Sequence, residues 1–63
     1  MTATEAYAVQ QRDADNALKD LARSLEAHAA RQREAPYSWP LVGDLGHVNA
    51  LLRELVSFLG RKT

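Results

Sequence analysis

Apolar residues recur in alternating steps of four and three along two stretches of the chain. In the first stretch the stripe reads Tyr7, Gln11, Ala14, Leu18, Leu21, Leu25, His28 and Gln32. In the second it reads Leu41, Leu45, Val48, Leu52, Leu55 and Leu59. Steps of this kind follow one face of an α-helix, and sustained over several turns they resemble a coiled-coil seam. The faces opposite are polar: the first stretch sets Arg12, Asp13, Asn16, Lys19, Asp20, Arg23, Glu26, Arg33 and Glu34 toward solvent.

The pattern predicts an all-α, single-domain helical hairpin over residues 1–63, with a helix from about 4 to 34, a loop over 35–43 and a helix from about 44 to 59. The first helix contains no Gly or Pro and is rich in Ala, Leu, Arg, Glu and Gln, all good helix formers. Thr2 followed three residues later by Glu5 has the spacing of a capping box. Pro36 and Pro40 end the helix and turn the chain back on itself, because short connections join antiparallel neighbours. Two starts compete for the second helix. Ser38 with Pro40 would open it early, whereas Asp44 after Gly43 has the character of an N-cap. The reading adopted places the regular helix from Asp44, with Gly60 as its stop and Arg61 and Lys62 at the negative end of its dipole.

A turn centred near residue 37.5 sets opposed positions to sum to about 75. Leu25 then lies near Ala50 and Leu51, Leu21 near Glu54 and Leu55, and Leu18 near Phe58. The same register places Arg61 and Lys62 beside Asp13 and Asp15, and sets His28 level with His47.

The second stripe is too wide for one neighbour. Leu51, Val56 and Phe58 flank it, and from Leu51 to Val56 it subtends roughly 140° at 100° per residue. In an isolated hairpin half of that arc would face water, and exposed apolar surface of this kind marks an interface. Isologous pairing with a second copy, giving an antiparallel four-helix bundle, is the natural solution. The expected core and interface residues are Tyr7, Ala14, Leu18, Leu21, Leu25, Leu45, Val48, Leu52, Leu55, Phe58 and Leu59.

Composition agrees with that outcome. A chain of 63 residues buries only about 60% of its unfolded surface even when compact, and is marginal without a staple. It contains no cysteine, which excludes disulfides and thiolate zinc sites. The 8 Lys and Arg balance the 8 Asp and Glu. Zero net charge lacks the basic excess of a non-specific nucleic-acid binder and gives little colloidal repulsion against association. No apolar run approaches the ~20 residues of a membrane span. The first residues carry neither the basic nor the apolar region of a signal peptide. The expectation is a cytoplasmic protein, and the preference for Arg over Lys with abundant Ala suggests a bacterial, GC-rich source.

Candidate chemistry is sparse. His28 and His47 are the only histidines, and neither HxxxH nor ExxH spacing occurs, so no metal or other cofactor is expected. None of Ser24, Ser38 and Ser57 sits in a strand–turn–helix elbow, and Gly43-Asp44-Leu45-Gly46 lacks the lysine of a phosphate loop. Asp44 with His47 reads as a cap and its neighbour rather than a catalytic pair. The chain is read as non-enzymatic. Tyr37 and Trp39 stand out in the loop, either as a plug over the end of the core or as an aromatic anchor for a partner. Arg23, Arg31 and Arg33 give the first helix a modest basic end. They are the candidate contacts of the alternative function, a dimeric nucleic-acid-binding regulator. The expected partner is a second copy, then another protein, then nucleic acid, with no membrane.

Overall fold

The computed structural model describes residues 1–62. It contains two helices, α1 (Ala3–Glu34) and α2 (Trp39–Lys62), with no strand among the described residues. They fold back as a hairpin measuring 51 × 22 × 12 Å. The shortest dimension is the thickness of one helix and the middle one the width of two. The protein is a single layer, with no second layer against which to bury a face.

α1 spans 32 residues and starts where the capping box places it. The Thr2 backbone N–H donates to Glu5 Oε1 at 3.0 Å, and the Glu5 N–H donates to Thr2 Oγ1 at 3.1 Å. Two of the orphan donors at the helix start are thereby satisfied. At the other end the Ala35 N–H is shared between the carbonyls of Arg31 and Gln32, each at 3.1 Å. The Ser38 N–H then donates to the Ala35 carbonyl at 3.0 Å, closing a tight turn.

The second helix begins five residues earlier than Asp44 and runs past Gly60. α2 opens at Trp39 with Pro40 in its first turn, where a missing N–H costs nothing and the fixed φ is already helical. That early start prevails over the Gly43–Asp44 boundary. Gly43, Gly46 and Gly60 all lie inside the helix, and none has the positive φ of a helix stop. Interior glycines weaken a helix by roughly 0.5–1 kcal/mol each relative to alanine, so α2 depends on packing more than α1 does.

The shorter connection also corrects the register. A turn over residues 35–38 centres on 36.5, so opposed positions sum to about 73 rather than 75. Leu25 faces Val48 and Leu45, not Ala50 and Leu51; these residues line a common groove of about 160 Å³ together with Leu21 and His28. Arg61 and Lys62 do not reach Asp13 and Asp15, and the Lys62 ammonium instead lies 5.7 Å from the centre of the Phe58 ring.

No described residue is buried. On α2 the half-buried positions are Leu41, Val48 and Leu52, and on α1 the stripe contributes Leu21, Leu25 and His28. The intrachain seam is therefore short, and it lapses toward the open end of the hairpin. Leu18 is 61% exposed and Leu55 64% exposed.

Candidate interaction face

The intrachain seam uses only part of each stripe. Along α2 the seam residues keep the 4–3–4 spacing of Leu41, Leu45, Val48 and Leu52. The same stripe continues through Leu55 and Leu59, both exposed, and broadens through exposed Leu51, Val56 and Phe58. On α1 the continuation is Ala14, Leu18 and Tyr7, all exposed. Of the expected core and interface set, then, Leu21, Leu25, Val48 and Leu52 are partly covered by the chain itself. Leu45 borders on exposed. Tyr7, Ala14, Leu18, Leu55, Phe58 and Leu59 lie open.

The loop aromatics do not plug the core. Tyr37 is 94% exposed and Trp39 79% exposed. Opening α2 at Trp39 carries the indole onto the helix's own outer side rather than over Leu25 or Leu45. With Pro36, Ser38 and Val42 they form a shallow hollow of about 220 Å³ at the tip of the hairpin.

Among the described residues one polar contact crosses the seam. His28 Nε2 lies 3.7 Å from Asp44 Oδ2. The His28 side chain is 15% exposed, and its Nε2 is shielded from water without a hydrogen-bond partner. At 3.7 Å the pair is an electrostatic contact and not a hydrogen bond. His28 is not level with His47, which is exposed. Asp44 is neither an N-cap nor a partner of His47. The pairing of His28 with Asp44 was not legible in the sequence, because it depends on a register that the loop length decides. Ser24, one turn before His28, lines the same groove, but no hydrogen bond joins the two. Among the described residues no cluster of three or more His, Cys, Asp or Glu could hold a metal ion.

The three arginines are not gathered into one patch. Arg23 is engaged by Asp20, one turn earlier on α1. Arg31 lines the groove beside His28, and Arg33 belongs to the last turn of α1. At 100° per residue Arg31 and Arg33 stand about 80° to either side of Arg23, so the three are spread over roughly 160° of the helix circumference. Among the described residues no helix is long and apolar enough to cross a membrane.

The chain matches no protein-family model, no curated protein and no solved structure. The candidate face is described by its own chemistry: a broad, leucine-rich surface continuing the seam along both helices.

Proposed function

We propose that this chain is a non-enzymatic interaction module that pairs with a second copy of itself, two hairpins forming an antiparallel four-helix bundle in the cytoplasm. The observation that supports this reading is the surface left open. The chain exposes 5739 Å². A folded monomer of 7.0 kDa exposes about 4,000 Å². The excess is about 1,700 Å² per chain, or roughly 3,400 Å² for two, which falls in the range of obligate homodimer interfaces. The residues that supply it are the open half of the stripes: Leu18, Leu55, Phe58 and Leu59, with Leu51 and Val56 widening the face.

Pairing would give α2 the second neighbour its 140° arc calls for. It would also raise the fraction of surface buried to what a domain of this length normally reaches. The reading assigns no catalytic group and no cofactor. The test is Leu55→Asp. Leu55 is largely exposed in the single chain, so in a hairpin that acts alone the substitution changes stability by no more than about 0.5 kcal/mol. In the paired bundle it places a charge in the core, and we expect the dimer and most of the helical circular-dichroism signal to be lost. A Leu55→Asp variant with unchanged mass and helicity overturns the reading.

A further inference from the structure

We draw no further inference here: the strongest candidate, the exposed Tyr37, Trp39 and Val42 cluster around the hollow at the tip of the hairpin, is an unpartnered apolar patch set apart from the open stripes, and nothing in the structure shows what covers it.

Discussion

The closed and open halves of the hairpin are written in the same alphabet. Leu21, Leu25, Leu45, Val48 and Leu52 line the half where the helices touch, and Leu18, Leu55, Phe58 and Leu59 continue the same stripes where they do not. Spacing and residue type do not separate the two groups; exposure does. An apolar stripe is a demand for cover, and it does not state which chain supplies it. In the closed half the demand is partly met within the chain, because the four-residue connection holds the helices together there. In the open half it is not met, and the stripe on α2 is broader than α1 could cover in any register. The difference teaches that the hairpin covers only part of its apolar stripes by itself, and the uncovered part is what the proposed second copy would bury.

The substitution with the largest expected effect tests whether the halves are one cooperative unit. Leu52 sits where the closed half gives way to the open one. Leu52→Asp forces a charge into the seam, at a cost of about 3 kcal/mol or more. A chain this small has only a few kcal/mol to lose, so both helicity and association are expected to disappear together in circular dichroism and sizing. Retention of the helical signal in a monomeric variant would show that the closed half stands without the open one.

A second substitution works in the opposite direction and is confined to the closed half. His28 places a shielded, unpartnered Nε2 in the seam beside Asp44. Leaving such a group unsatisfied costs about 1–3 kcal/mol. His28→Leu is therefore expected to raise the melting temperature by several degrees, since ~1 kcal/mol shifts a domain of this size by roughly 4–8 °C. A fall in melting temperature would show that the contact with Asp44 outweighs the orphaned nitrogen.

The smallest effect lies at the far end of α1. Thr2→Ala removes the hydroxyl that accepts from the Glu5 N–H, and such cap losses cost about 1 kcal/mol. Its signature is local: faster amide exchange over the first turns of α1, with the seam unchanged. The Glu5 carboxyl is held below the usual carboxylate range by the Thr2 backbone N–H, its main cause, and then by the Thr2 hydroxyl. A depressed value in the folded state means that the cap contributes fully above the ordinary glutamate range and is lost as pH falls through the lower, folded value. Acid titration of wild type should thus fray the start of α1 at low pH; Thr2→Ala, which keeps the backbone N–H, should weaken that dependence, and Glu5→Gln should abolish it.

Most of the fold is legible in the sequence, and the exceptions share one cause. α1 is marked at both ends, by Thr2 with Glu5 and by Pro36, and its bounds agree with expectation to within one residue. The half-buried residues of the seam, Leu21, Leu25, His28, Leu41, Val48 and Leu52, all belong to the two stripes. The start of α2 is not legible, because two physically sound signals compete: proline in a first turn and the Gly43–Asp44 boundary. Once Pro40 wins, every dependent reading moves with it. The register sum falls from 75 to 73, Asp44 turns from cap to seam partner of His28, His28 parts from His47, and Trp39 is carried from the end of the core to the surface. Local propensity settles which residues are helical. The face each residue presents to a neighbour depends on a loop length that no local signal fixes.

The central claim is that the open half is covered by a second copy of the chain. Light scattering behind a sizing column, repeated across concentrations with circular dichroism alongside, tests it most directly. Twice the 7.0 kDa chain mass, with helicity that falls as the dimer is diluted apart, is the predicted result. A stable, fully helical monomer at every concentration would contradict it.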